Sequence, residues 1–481
     1  MHWIDASIFI LYMIALLGVG FWFMRKNDSA DDYFVGGRSM GPGHIGLSVV
    51  ATDVGGGFSI GLGGLGFVMG LSGSWMLFTG LLGAWLAAVL LIPRVFNLGR
   101  DHALLTFPQL LGRFFDGRVA FVAGIICVVG YLGFTSSQLL AGAKLASAAV
   151  NGLDLHTALL VMGVVTVLYT VLGGMKAVVY TDTIQWAVLL LGLAFIGVPM
   201  AWVAVGGWGA IRSTVDPAML RLDNITVVQL FNWGVTIVPI WFVGMTLYQR
   251  IYASRSEKDA RKAWFIAGLF EWPVMAFLGV TLGMLAHVAA KQGLLDGLIE
   301  SGAVIDPEMG LPLLLRAILP VGLLGIMLSV YFSAILSTAD SCLMAASGNL
   351  LTDIVERFRP SRGMKDTLRL SQGFTLGLGA IAISIAAVME NVLSLMLHSY
   401  AFMVSGLLVP LVAAVFFGQR HAAAALSAMV IGGSTTVSLS LLELQLPFGL
   451  DANVFGILAA TLCFILVARL LPMRVATSPS N

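Results

Sequence analysis

The segment SVVATDVGGGFSIGLGGLG, Ser48 to Gly66, decides how this chain is read. It lies in an apolar run long enough to cross a bilayer, yet it carries Asp53 and then Gly55, Gly56, Gly57, Gly61, Gly63, Gly64 and Gly66. Glycine weakens a helix interior, and a carboxylate at membrane depth is costly and usually functional. Irregular backbone survives there only where it is buried in protein or lines a water-filled cavity. A broken helix is expected, the device with which membrane carriers build ion and solute sites.

The rest of the composition agrees. Of 481 residues 58% are hydrophobic and 11% charged, against about 25% charged in soluble domains, so the chain is an integral membrane protein. The net charge is +1 and no basic tract suggests nucleic acid. The bilayer, a small solute and an ion are the expected partners. Cys127, Cys342 and Cys463 are scattered through apolar segments, a pattern of small buried hydrophobes rather than of disulfides or a zinc site. Neither G-x-x-x-x-G-K-[ST] nor H-E-x-x-H occurs, so neither an ATP-driven machine nor a metal-dependent enzyme is indicated. No cofactor and no enzymatic activity are expected.

Apolar runs recur near 4–24, 44–70, 74–97, 118–150, 157–174, 181–206, 226–249, 264–289, 312–349, 368–389, 391–417, 421–442 and 452–471. They predict roughly thirteen spans. The runs 118–150 and 312–349 exceed one span and are expected to include tilted or interfacial extensions. Basic residues gather in alternate loops, among them Arg25, Lys26, Arg94, Arg100, Lys258, Arg261, Arg357, Arg359 and Arg420. The positive-inside rule makes those loops cytoplasmic, with the N-terminus outside and the C-terminus inside. The first run lacks a basic flank before it and a cleavage site after it, so it is read as an uncleaved span. The short loops suggest a bacterial inner membrane.

A second polar cluster is SAILSTADS, Ser333 to Ser341. Ser333, Ser337 and Ser341 share one helix face, with Thr338 and Asp340 beside them. Such hydroxyls often bond the carbonyl four residues back, but that does not explain an aspartate in the same turn. Hydroxyls together with carbonyls freed near Val54 to Gly57 make an oxygen-only set, suited to a hard cation such as sodium. A third cluster places Asp182 and Gln185 on one face at the start of a span. Asp182 either caps that helix or serves an ion path. Lys144 is read as snorkelling or pairing with a carboxylate, Glu271 as lying near a helix kink before Trp272 and Pro273, and His398 as a hydrogen-bonded bundle histidine. Trp241 and Phe242 are the best aromatic candidates for a solute site, because Pro239 and Gly244 bracket a second probable break.

These residues resemble the sodium:solute symporters, which include sodium/proline, sodium/glucose, sodium/sialic acid and sodium/pantothenate carriers. Asp31 to Met40 (DDYFVGGRSM) is similar to a segment that follows the family's first helix. Gly173-Gly174 through Tyr180-Thr181-Asp182-Thr183-Ile184-Gln185 resembles its G-G…T-D-x-x-Q signature, and Leu336-Ser337-Thr338 its sodium-site helix. The resemblance covers nearly the whole chain. It implies an all-α polytopic fold with a five-plus-five inverted repeat and two discontinuous helices. Residues 1–43 would be a first helix and loop, 44–206 and 226–417 the two repeats, and 418–481 two final helices and a tail.

Carried over by position, the resemblance places sodium on the carbonyls of Ala51, Val54 and Ala334 and the hydroxyls of Ser337 and Thr338. Asp53 would couple the ion to the solute. Asp182, Asp340 and Ser341 fall where some members hold a second sodium; here a carboxylate replaces one serine, so a second ion and a proton path both stay open. Gly55, Gly57, Phe58, Phe134, Trp241 and Phe242 are the substrate candidates. Proline carriers resembling this chain have tryptophan where it has Gly57, which points away from proline. The implied function is sodium-coupled import of a small organic solute by alternating access. The alternatives are a proton-coupled carrier, or a carrier-like membrane sensor.

Overall fold

The structure is a computed structural model and describes residues 1–24, 36–173, 175–299, 304–359, 363–442 and 444–472. At some helical positions, Val54, Gly57, Phe58 and Asp182 among them, it describes the backbone course and not the side chain. Residues 31–35 and Gly174 of the resemblance motifs, and the basic residues Arg25 and Lys26, lie outside the described residues.

The principal helices are α1 (Trp3–Met24), α2 (Pro42–Met69), α3 (Trp75–Leu86), α4 (Gly117–Ala149), α5 (Leu155–Gly173), α6 (Met175–Gly192), α7 (Val227–Val243) and α8 (Met245–Ala253). They continue as α9 (Glu257–Leu269), α10 (Ala276–Lys291), α11 (Pro307–Ile318), α12 (Leu323–Asn349), α13 (Met364–Ala386), α14 (Val392–Phe417), α15 (Ala422–Leu441) and α16 (Ala452–Leu470). The π-helical turn Phe270–Met275 joins α9 to α10. Among the described residues nine helical runs are long and apolar enough to cross a membrane, and ten if the bent pair α7 and α8 is one span. The thirteen spans expected from hydropathy remain an expectation.

Both predicted breaks are present. Inside α2, Gly55 has φ 22° and ψ −169°. Between α7 and α8, Gly244 is extended (φ −65°, ψ 118°), and the two helices bend by 42°. The two over-long runs resolve differently. Residues 118–150 are covered by α4, one helix of 33 residues; at 1.5 Å per residue it is about 50 Å long, well beyond the ~30 Å hydrocarbon core. Residues 312–349 are not one helix: α11 ends at Ile318, and the chain turns at Gly322 (φ 90°) before α12. Apolar composition alone could not reveal that turn.

The core sits around α12, whose most apolar stretch is 89% buried, more than any other span. It contacts α1, α2, α4, α6 and α13. Glycines let α2 and α10 meet backbone to backbone: a Cβ on Gly66 would lie 2.6 Å from Val280 Cα, and one on Gly283 would lie 2.8 Å from the Gly63 carbonyl carbon. Small residues permit this approach where lipid supplies no hydrophobic drive between helices. A single parallel β-bridge among the described residues, Met40 to Ser254, ties the start of α2 to the end of α8. Met40 N donates to Ala253 O, and Arg255 N donates to Met40 O, both at 3.1 Å. The two broken helices are thus pinned together at one end.

Candidate functional site

A break in a membrane helix frees backbone groups that must find partners. At Gly55 the break faces α12, where a Cβ would lie 2.8 Å from Thr338 Cβ. Thr338 Oγ1 donates to the Ala51 carbonyl at 2.8 Å and lies 3.4 Å from the Ala334 carbonyl. Three expected sodium ligands, Ala51, Ala334 and Thr338, therefore converge. Ser337 is buried one residue away, 4% exposed. The side chain of Val54 lies outside the described residues. The converging groups are neutral oxygens, the donor type a hard monovalent cation takes. Among the described residues no group of three His, Cys, Asp or Glu side chains is placed to hold a metal ion.

The second break is held by tyrosines. Thr246 N donates to Tyr131 Oη at 3.1 Å, and Tyr248 Oη donates to the Phe242 carbonyl at 2.8 Å. These two backbone groups would bond each other in an unbroken helix. Tyr131 lies 6.5 Å from Phe134, which meets Tyr400 edge-on at 4.9 Å. Tyr400 Oη in turn donates to Asp53 Oδ1 at 3.3 Å. A continuous line of aromatic contacts on α4 and α14 therefore links the second break to the carboxylate beside the first.

The substrate candidates separate on this geometry. Phe134 lies on that line. Phe242 is 8% exposed and flanks the second break. Trp241 is fully buried and packs on α3, where a Cβ on Gly83 would lie 2.8 Å from its Cγ; it also meets Trp264 edge-on at 6.4 Å. Gly55 faces Thr338, on the ion side of the break. Gly57 carries no side chain, and that of Phe58 lies outside the described residues.

Around the expected second ion the arrangement is more crowded. The guanidinium of Arg250, fully buried on α8, donates to Ser341 Oγ at 2.9 Å and Ser48 Oγ at 3.1 Å, and also to Thr52 Oγ1. Asp340 accepts from Thr170. The Asp182 side chain lies outside the described residues.

Two residues matter more than their sequence context suggested. Glu271, read as a residue near a kink, is indeed at one: Trp272 departs from helical geometry (φ −118°, ψ 72°) ahead of Pro273. Its carboxyl group lies beside that of Asp53. Arg250 directly follows the apolar run 226–249, and its burial is not evident from that run. For Glu271 the available signal was a charged residue inside a membrane segment.

A helical bundle with two broken helices meeting at neutral oxygen donors is the architecture of a secondary transporter. The sodium:solute symporter family model matches residues 33–432, and the chain belongs to that family. It is 26% identical over 452 residues to sodium/glucose cotransporter 1 of Ovis aries, an alignment spanning 86% of this chain and 67% of the other. It is 27% identical over 437 residues to the high-affinity proline transporter PutP of Bacillus subtilis (strain 168), spanning 88% and 89%. A substrate-bound, outward-open structure of a Na+-coupled sialic acid symporter shares the fold, with a TM-score of 0.79 over 98% of both chains at 20% identity. The chain is a multi-pass membrane protein and a sodium-coupled solute symporter.

Proposed function

We propose that this symporter binds one sodium ion between α2 and α12, on the carbonyls of Ala51, Val54 and Ala334 and the hydroxyls of Ser337 and Thr338. The observation that carries this reading is the Thr338 hydroxyl, which donates to the Ala51 carbonyl across the two helices at 2.8 Å. An arriving ion takes the lone pairs of Thr338, whose proton turns toward Ala334. The ion then replaces the hydroxyl as the bridge between the two helices, which fixes the broken segment beside Asp53. Loss of the ion on the inner side releases that segment and the solute with it. The cargo is a small organic molecule held near Asp53, Phe134 and Phe242, with Trp241 as the packed wall behind. Glucose, proline and sialic acid are named for the relatives above.

Arg250 supports a single sodium. It sets a fixed positive charge on Ser341, where a second cation would have to sit, leaving Asp182 and Asp340 as a polar path rather than an ion site. Residues 44–206 and 226–417 act as the two repeats. The protein resides in a bacterial inner membrane with the N-terminus outside. The test is charge movement in proteoliposomes on a supported membrane. A solute jump should give a current in sodium and none in potassium. A current of equal size in both would favour proton coupling instead.

A further inference from the structure

Glu271 and Asp53 form a pair that the sodium site does not account for. The π-helical turn at Phe270–Met275 directs Glu271 across α3, where a Cβ on Gly80 would lie 3.2 Å from its Cδ. Gly80 and Gly83 share one face of α3, so Glu271 and Trp241 are seated side by side on it. Glu271 is fully buried, and neither of its oxygens meets a donor. Asp53 is 5% exposed; Tyr400 donates to its Oδ1, and its Oδ2 meets no donor. Neither residue takes part in an ion pair among the described residues.

A carboxylate only accepts hydrogen bonds. Two of them side by side at low dielectric repel each other unless a shared proton or a positive charge lies with them. One sodium at the Ala51–Thr338 site answers one of those charges. The other is answered by a shared proton or by a second cation, and the groups around the pair describe such a cation. Tyr400, with Phe134 edge-on to it, contacts Asp53, and Trp241 shares one face of α3 with Glu271. Aromatic faces next to a desolvated carboxylate suit an alkylammonium head, which is weakly hydrated and attracted to π-systems.

We propose that Asp53 and Glu271 together recognise the ammonium group of a cationic organic solute, so that the cargo is an amine rather than a sugar or an acid. The proposal rests on the symporter reading and specifies its substrate class. The ammonium lies against both carboxylates, taking the place of any proton they share, with its alkyl part against Tyr400 and Phe134. Asp53 serves both cations, which makes it the point where sodium and solute are coupled.

The experiment measures binding to purified full-length protein by calorimetry in sodium and in potassium. The probes are choline, ethanolamine, putrescine and agmatine, with glucose and proline as uncharged or zwitterionic comparators. At least one ammonium probe should bind saturably. Glu271→Gln, which keeps shape and removes charge, should weaken it about tenfold or more (~1.4 kcal/mol). Asp53→Asn is the second variant, should Glu271→Gln fail to fold, with the same expectation. Binding of glucose or proline but of none of the four cations overturns the proposal. So does cation binding that both variants leave unchanged, as expected if the pair merely shares a proton. Failure of the symporter reading looks different: cation binding is lost in the variants but is equal in sodium and potassium.

Discussion

Thr338 holds the two halves of the site in register. Its hydroxyl donates to the Ala51 carbonyl across the helix pair, and its side chain fills the space that a Cβ at Gly55 would need. Thr338→Ala and Ser337→Ala should each raise the sodium concentration for half-maximal transport about tenfold, with membrane-inserted protein unchanged by quantitative blotting. Loss of one ligand to a bound cation is worth on the order of 1.4 kcal/mol, which is that factor. Gly55→Ala should abolish transport, since it combines a clash on Thr338 with a positive φ that alanine resists. At this scale Asp53, Ser337 and Thr338 could be singled out in the sequence, because each is polar at membrane depth or belongs to a motif. The partnership of Asp53 with Glu271 was not, nor that of Arg250 with Ser341. Each joins residues on different helices, and no local spacing encodes such contacts.

Between residues and the whole bundle, the helix breaks and their clasps set what can move. Tyr131 on α4 stabilises the second break by accepting from Thr246 N. Tyr131→Phe leaves that amide buried and unpaired, at a cost of about 1–3 kcal/mol; a lower melting temperature in detergent is the expected readout. Lys144 is the other clasp. It is 2% exposed and donates to Asp306 Oδ2 and Glu308 Oε2, both at 2.6 Å. Glu308 also accepts from Val392 N and Leu393 N at 3.0 Å, closing the start of α14. One lysine thus ties α4, α11 and α14 together. Lys144→Met leaves the buried Glu308 carboxylate without its cation, which costs about 3–5 kcal/mol; thermal unfolding should show a drop larger than that of Tyr131→Phe. The breaks were legible in sequence from Gly55 and from Pro239 with Gly244. The turn at Gly322 was not, because a glycine within an apolar run reads the same whether the helix continues or ends.

Over the whole molecule, coupling sets how steeply solute can be concentrated. A tenfold sodium gradient supplies ~1.4 kcal/mol per ion, and ~100 mV adds ~2.3 kcal/mol per charge. For one sodium and a neutral solute that amounts to roughly 500-fold accumulation. A monocationic solute gains the membrane term a second time, another factor of about fifty. A cationic cargo would therefore show as a steeper voltage dependence of accumulation than one sodium alone allows. The all-helical membrane fold was legible from hydropathy and from motifs spread along the chain. Which surfaces of those helices face each other was not, since membrane helices are apolar on almost every side.

The central claim is that one sodium ion bridges α2 and α12 through Thr338. The most direct test is equilibrium binding of radioactive sodium to the purified protein and to Ser337→Ala and Thr338→Ala. Saturable binding of about one ion per chain, weakened about tenfold in each variant, is the predicted result. Saturable binding that both variants leave intact would contradict the account and place the ion elsewhere.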